Sequence, residues 1–170
     1  MSDTPTHPAA PHEQVTYLST QAVPTVVRLA EDVLPGDLAG IFDESFGALV
    51  PALQEKGIQV AGPAFSMHRR MPGATMTFEL GFPLAAPLDG ELEAGGIAFH
   101  PSVLPATQVA TMSYLGGYDG LGQAWSRLMR QTAADGQQPA LPFWEVYVTE
   151  PRPDMDPSTL RTDLFLPYEG

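Results

Sequence analysis

Apolar residues recur at intervals of three and four along two stretches of the chain, a spacing typical of amphipathic helices. The stripe of the first helix, predicted over residues 37–56, consists of Leu38, Ile41, Phe42, Ser45, Phe46, Leu49, Val50 and Leu53. The stripe of the second helix, predicted over residues 120–134, consists of Leu121, Ala124, Trp125, Leu128 and Met129. Asp37 is a suitable N-cap for the first helix, and Gly57 and Gly136 end the two helices. We expect Pro51 to kink the first helix or to end it early.

Short runs of β-branched and aromatic residues around the helices predict strands. In the first half of the chain they cover residues 15–18, 25–29, 63–68 and 75–80. In the second half they cover residues 97–99, 107–114, 142–149 and 162–166. Pro72 and Gly73 mark a hairpin turn, and we expect Gly81 and Pro83 to break the strand that precedes them.

The order of elements in the first half is repeated in the second. Subtracting 57 from 136, the positions of the two helix-ending glycines, gives an offset of 79. The same offset aligns the helix stripes and pairs Phe65 with Trp144 without a gap. The sequence therefore predicts a single α+β domain over residues 15–170, built from a duplicated β-α-β-β unit (residues 15–85 and 95–167). Two helices would back either one continuous antiparallel sheet or two sheets, and residues 1–14 would form a mobile tail.

The strand at residues 142–149 carries a single carboxylate, Glu145, within an aromatic and β-branched run. Because side chains alternate along a strand, Phe143, Glu145 and Tyr147 share one face. Glutamate is rarely buried unless it is paired, since the ion is costly to remove from water. One interpretation is therefore an edge strand with Glu145 in solvent. The other is a buried counter-charge between two aromatic rings, and the offset of 79 supports it by placing Ser66 at the equivalent position, so that the halves differ at this carboxylate.

The composition narrows the range of functions. The 170 residues include 20 acidic and 8 basic side chains, which gives a formal net charge of −12. An acidic protein of this kind is a poor candidate for direct nucleic-acid binding and is suited to attract cationic small molecules. The absence of a membrane-spanning apolar run and of a signal-peptide pattern predicts a cytoplasmic protein. There is no cysteine, and the four histidines lack the spacing of a metal site, so we expect neither a metal nor a cofactor.

Three further features each allow two interpretations. Glu79 either faces outward or forms a second carboxylate of the site, where it and Glu145 would make an acid–base pair able to activate water. His68 is most simply a solvated strand end, with a ligand-binding role as the alternative. The glycine-rich turn at residues 116–120 is better explained as a helix cap than as a phosphate loop, because it lacks the lysine of such loops. Its Tyr118 could still line the mouth of a cleft.

Several of these segments resemble the gyrase-inhibitor-like (GyrI-like) small-molecule-binding family, which also supplies effector-binding domains of bacterial transcription regulators. The resemblance covers residues 25–167 and is carried by segments 42–49, 62–65, 78–83, 116–121 and 144–149. It implies a ligand cleft between the halves, in which Glu145 meets cationic aromatic ligands. The residues that we expect to contribute to ligand binding are Glu145, Tyr147, Phe143, Trp144, Tyr118, Phe65, Met67 and His68.

Three functions follow from the residues and the resemblance together. The first, which we favour, is a stand-alone, multidrug-type binding protein for lipophilic cationic or planar aromatic compounds. The second is a hydrolase that opens cyclopropane-bearing alkylating natural products, with Glu145 and Glu79 as catalytic residues. The third, a gyrase-modulating protein, follows from the family name alone. None of the three requires a direct nucleic-acid or membrane partner.

Overall fold

The computed structural model describes Pro11, residues 14–149 and residues 156–169. Apart from Pro11 and Gln14, the tail predicted over residues 1–14 lies outside the described residues. The helices are α1 (Leu38–Glu55) and α2 (Leu121–Ala134). The strands are β1 (Thr16–Ser19), β2 (Val23–Val33), β3 (Phe65–His68), β4 (Met76–Pro83), β5 (Leu92–Ala94), β6 (Ile97–Leu104), β7 (Gln108–Leu115), β8 (Gln138–Pro139), β9 (Phe143–Tyr147) and β10 (Arg161–Glu169). No helix in the described part of the chain is long and apolar enough to cross a membrane.

The ten strands form one sheet in the order β1-β7-β10-β9-β3-β4-β2-β6-β5, with β8 paired to β10 outside this row. Every strand pairing is antiparallel. The predicted α+β class, an antiparallel sheet backed by two helices, is confirmed, and the sheet is continuous. β3 and β9 are neighbours at its centre. The block β3-β4-β2 lies on one side of their boundary and the block β9-β10-β7 on the other, so the two halves of the chain meet there.

The antiparallel pairing of β3 with β9 brings one pair of repeat-equivalent residues face to face. Ser66 lies directly opposite Glu145, and 66 + 79 = 145, so these two residues face each other as equivalents of the repeat. Because the strands run antiparallel, their neighbours do not, and Met67 faces Trp144 instead of its own equivalent. In the helices, the same offset relates the buried residues of α1 to buried residues of α2, namely Ser45, Leu49 and Leu53 to Ala124, Leu128 and Thr132. Superposition of the complete halves stays a prediction.

Both helices pack on the same side of the sheet, which we call the helix face. There α2 covers Phe143 and Leu164, and α1 covers Phe78 and Leu80. The opposite side, the far face, has a buried apolar layer of its own that consists of Val27, Phe65, Met67, Leu104, Val109, Trp144, Val146 and Phe165. The central strands β3 and β9 are therefore buried on both faces, and a polar side chain on either face of them is removed from water.

The expected early end of α1 at Pro51 and the expected break of β4 at Gly81 are wrong, whereas β4 does end at Pro83 and a kink at Pro51 stays a prediction. α1 continues through Pro51 to Glu55. Leu49 and Leu53, on either side of the proline, are buried in the apolar layer beneath the helix, and this packing holds the helix together despite the roughly 3 kcal/mol that an internal proline costs. β4 likewise continues through Gly81 to Pro83. A Cβ at Gly81 would lie 1.8 Å from the backbone oxygen of Val26, so this glycine permits a close approach of two strands instead of ending one.

Candidate functional site

Glu145 lies on the helix face at the centre of the sheet. Its strand, β9, is hydrogen-bonded to β10 on one side and to β3 on the other, and only 9% of the residue is exposed. The interpretation of an edge strand with Glu145 in solvent is therefore wrong. The reason is the pairing of β9 with β3, a contact between residues about 79 positions apart, which closes the edge that the local sequence leaves open.

Three side chains position the carboxylate of Glu145. The indole Nε1 of Trp125, on α2, donates a hydrogen bond of 2.7 Å to Oε1. The hydroxyl of Tyr147, two residues along β9, donates one of 2.7 Å to Oε2. The Tyr147 hydroxyl is also 2.7 Å from the Ser66 hydroxyl, and because its single proton is donated to Glu145, it accepts here from Ser66. The carboxylate is thus held by donors from a helix and a strand.

The charge of Glu145 has no partner of opposite sign among the described residues. None of the ion pairs of the described part involves this carboxylate. Burial raises the pKa of Glu145, while the hydrogen bonds from Trp125 and Tyr147 act in the opposite direction because they favour the ionised form. Burial, together with the charge of Glu145, also raises the pKa of Tyr147 well above its usual value, so the phenol keeps its proton.

Aromatic rings surround this polar group. Phe42, on α1, meets the ring of Tyr147 edge-on with centroids 5.7 Å apart, and Tyr118 meets it edge-on at 6.1 Å. Trp125 packs against Phe143 at 4.6 Å. Tyr118 is 43% exposed and so lies at the mouth of the group. Two surface cavities, of about 670 and 890 Å³, are lined by other residues and include neither Glu145 nor Tyr147.

His68 belongs to the same face, next to Phe143. Its ring stacks on Phe143 at 4.9 Å with an angle of 11° between the planes, and it packs against Phe78 at 5.4 Å. His68 is 8% exposed, so the interpretation as a solvated strand end is wrong. Burial lowers the pKa of this imidazole to about 4, and the ring is therefore neutral in ordinary buffers.

Three of the expected binding residues lie elsewhere. Phe65, Met67 and Trp144 point to the far face, where they pack in its apolar layer. The alternation of side chains along β3 and β9 requires this once Ser66 and Glu145 are on the helix face. The structure therefore brings together Glu145, Tyr147, Phe143, Tyr118 and His68, and it separates Phe65, Met67 and Trp144 from them.

Glu79 also lies away from Glu145. It is next to Met67 across the β3–β4 pairing, on the far face. There its carboxylate is bound by Arg69 Nε at 2.8 Å and by the Ser102 hydroxyl at 2.8 Å. The interpretation of Glu79 and Glu145 as an acid–base pair is therefore wrong, because the sheet separates the two carboxylates. In the described part of the chain, no three acidic or histidine side chains cluster closely enough to hold a metal ion.

The sequence interpretation missed Trp125, Phe42 and Ser66 as parts of the site. All three were assigned to the framework, the first two because they fit helix stripes. A signal was nevertheless available in the repeat. At the offset of 79, Trp125 replaces Phe46 and Glu145 replaces Ser66, so an indole donor and a carboxylate acceptor enter the second half together.

A model of the GyrI-like small-molecule binding domain matches residues 37–169. The chain belongs to the GyrI-like family. Members of this family are small-molecule binding domains. The matched range includes both helices and the strands β3 and β9. No curated protein sequence matches the chain.

Solved structures share the GyrI-like fold at low sequence identity. The C-terminal domain of EcmrR has a TM-score of 0.73 and 17% identity, with 92% of this chain and 97% of that chain covered. SAV2435 bound to tetraphenylphosphonium has a TM-score of 0.63 and 11% identity, with coverages of 92% and 94%. A hydrolase from Listeria innocua has a TM-score of 0.63 and 9% identity, with coverages of 95% and 94%. At these identities the likeness concerns the fold alone.

Proposed function

We propose that this GyrI-like domain binds lipophilic organic cations and planar cationic aromatic compounds on the helix face, with Glu145 as the counter-charge. The observation that carries the proposal is a carboxylate, buried at the centre of the sheet, that accepts two hydrogen bonds and has no cationic partner among the described residues. A buried ion of this kind is unfavourable until an opposite charge arrives. A ligand cation would supply that charge.

The aromatic surroundings favour an organic cation over a small inorganic ion. The rings of Phe42, Tyr118, Trp125 and Tyr147 present apolar surface and electron-rich faces, which attract cations that carry little hydration. His68 is neutral because of its low pKa, so it does not repel a positive charge. The formal net charge of −12 would further raise the local concentration of cations near the protein.

A structural neighbour is consistent with this ligand class. SAV2435 has been solved with tetraphenylphosphonium, a lipophilic cation without hydrogen-bond donors. A ligand of that type interacts through its charge and its rings, which are the two kinds of contact that the Glu145 group offers. The support that this neighbour gives is limited to the shared fold, because it is 11% identical to this chain.

The decisive experiment compares Glu145→Gln with the wild type by titration calorimetry in mildly alkaline buffer. The probes are N-methylacridinium, a permanent planar cation, and acridine, a neutral molecule of almost the same outline under these conditions. We expect the cation's affinity to fall about ten- to hundredfold in the variant, whereas acridine loses little. Glu79→Gln is the matched control, because it removes one carboxylate charge from the far face.

Two results would contradict the proposal. Equal weakening of both probes by Glu145→Gln would mean that the residue shapes the site without acting as a counter-charge. An equal effect of Glu79→Gln and Glu145→Gln on the cation would mean that overall charge, and not this position, determines the affinity.

A further inference from the structure

The turn that carries Tyr118 is built around a second tyrosine. We call residues 116–120 the glycine turn; it connects β7 to α2 and holds three glycines, Gly116, Gly117 and Gly120. Tyr114, near the end of β7, folds its side chain back against this turn. Its hydroxyl donates a hydrogen bond of 2.7 Å to the backbone oxygen of Gly117.

Two of the glycines leave room for the Tyr114 ring. A Cβ at Gly116 would lie 2.8 Å from the Tyr114 hydroxyl oxygen, and a Cβ at Gly120 would lie 2.1 Å from the same atom. Gly116 also has φ of +145°, a conformation that glycine adopts without strain. Gly120 has an ordinary φ of −92°. Its lack of a side chain is therefore explained by space for Tyr114 and not by backbone conformation.

The space that Gly116 and Gly120 leave for the Tyr114 ring, which we call the seat, lies beside the proposed binding group. The backbone oxygen that Tyr114 binds belongs to Gly117, the residue directly before Tyr118. The ring of Tyr118 is in turn edge-on to Tyr147, whose hydroxyl binds Glu145. On the other side of the turn, the Gly116 amide donates to the backbone oxygen of Leu160 at 2.9 Å. The position of Tyr118 is thus fixed by contacts that reach back to β7 and to the segment before β10.

The first half has no such arrangement. Its helix is also preceded by a 3-10 turn, Pro35–Asp37, but this turn contains no aromatic residue. Only one side of the group around Glu145 therefore receives an aromatic ring from the segment before its helix.

We propose that Tyr114 is a positioning residue that holds Tyr118 at the mouth of the site, so that the Tyr118 ring packs against the outer ring of a planar aromatic cation bound at Glu145. This inference rests on the proposed function for its ligand, but its structural part concerns the empty protein. Tyr118 touches the ligand, and Tyr114 acts only through Tyr118. The consequence is that the two residues contribute to affinity as one unit.

A double-mutant cycle with N-methylacridinium tests this coupling. We expect Tyr118→Ala to weaken binding about two- to tenfold, as the loss of one aromatic contact predicts. Tyr114→Phe should weaken it by a similar or smaller factor, and the double variant should bind no more weakly than Tyr118→Ala alone. Tyr17→Phe is the matched control, because it also removes a tyrosine hydroxyl that donates to a partner, Asp135. Effects of Tyr114→Phe and Tyr118→Ala that multiply, or no effect of Tyr118→Ala, would overturn the inference.

A second pair of variants tests the seat without touching a tyrosine. Gly120→Ala should displace the Tyr114 ring and reproduce the loss of affinity seen in Tyr114→Phe. Gly122→Ala, two residues further on, is its control, because a Cβ there meets no atom within 4 Å. Equal affinities of the two alanine variants would overturn the proposed role of the seat.

A measurement on the empty protein separates this inference from the proposed function. Burial and, to a lesser extent, the charge of Glu145 raise the pKa of Tyr118. If Tyr114 holds the ring in place, Tyr114→Phe should lower the pKa of Tyr118 toward that of a free tyrosine, and Tyr17→Phe should leave it unchanged. Nuclear magnetic resonance of ring-labelled tyrosine, assigned with Tyr118→Phe, measures this value. An unchanged Tyr118 pKa in Tyr114→Phe would overturn the inference, even where Glu145→Gln behaves as a lost counter-charge.

Discussion

Strands β3 and β9 occupy equivalent places in the two halves and lie side by side, but they present opposite acid–base chemistry to the helix face. β3 contributes Ser66 and His68, and β9 contributes Glu145 and Tyr147. Burial lowers the pKa of His68 to about 4 and raises that of Glu145. The same physical cause, loss of contact with water, therefore holds one base and one acid toward their neutral forms.

The surroundings of the two groups explain why only one of them is suited to a charged ligand. Glu145 accepts hydrogen bonds from Trp125 and Tyr147, which stabilise its ionised form. The Nδ1 atom of His68 is buried and has no hydrogen-bond partner within the described residues, and the ring is stacked on Phe143. Burial therefore disfavours an imidazolium at His68. The hydrogen-bond donors placed around Glu145 therefore distinguish it from His68, although both groups are buried.

The largest expected effect is a loss of stability on the far face of β9, which the comparison excludes from the binding site. Trp144 is buried in the far-face layer and stacks on Phe165 with ring centroids 5.4 Å apart. Trp144→Ala should lower the free energy of unfolding by about 3–5 kcal/mol, because it leaves a cavity in a packed layer. Urea unfolding measures this loss.

The milder variant Trp144→Phe keeps a ring and makes the binding measurement possible in a folded protein. Its affinity for N-methylacridinium should stay within about twofold of the wild type, because no part of Trp144 reaches the helix face. A tenfold loss of affinity would mean that the two faces are coupled and that Trp144 is not separated from the binding site.

The next effect concerns His68 and the loss of stability in acid. Its pKa is about 4 in the folded protein, against 6.5 for a free histidine, so the unfolded chain takes up this proton first as the pH falls. This destabilisation by His68 is absent well above pH 6.5 and grows as the pH falls. Near pH 4 it lowers the free energy of unfolding by about 3 kcal/mol. His68→Phe, which retains a ring for stacking, should lack this part of the pH dependence. Urea unfolding of both proteins across this range would contradict the prediction if the two curves stay parallel.

The sequence was sufficient to predict the two helices because the spacing of apolar residues that indicates a helix is local. The apolar stripes from Leu38 to Leu53 and from Leu121 to Met129 predicted both helices, and the offset of 79 predicted how they relate. Strands β5 and β8 were missed because they have three and two residues, too few to show alternation. The break expected at Gly81 failed for a different reason, since the glycine serves a contact with Val26 in another strand.

The candidate site was only half predictable because its decisive property is not local. The choice between an exposed and a buried Glu145 depends on whether β3 pairs with β9, and residues 142–149 carry no information about that partner. His68 was misjudged for the same reason. Trp125 fits a helix stripe equally well as packing residue and as hydrogen-bond donor, so its role appears only when α2 is placed over β9.

The smallest expected effect is the most sensitive test of the contrast between His68 and Glu145. Glu145→Gln should leave the free energy of unfolding level or raise it slightly, because the empty protein no longer buries an acid that ionises unfavourably. The amide fits the existing bonds. Its oxygen can accept from Trp125 and its nitrogen can donate to Tyr147, whose hydroxyl then donates to Ser66, an arrangement that the 2.7 Å contact between the two hydroxyls allows.

The pH dependence of that difference has a definite sign. Because the pKa of Glu145 is raised in the folded state, the folded wild type keeps a proton that the unfolded chain loses above the usual glutamate pKa of about 4.3. Wild-type stability therefore falls relative to Glu145→Gln as the pH rises from there to the raised pKa, and the gap stays constant above it. This is opposite in sign to the effect of His68, which both proteins share and which cancels in the difference.

Saturation with N-methylacridinium should close the gap by stabilising the ionised carboxylate in the wild type. Urea midpoints of the two proteins, with and without the cation, measure all of this, and a gap that shrinks with rising pH would show that Glu145 is stabilised as an ion without any ligand.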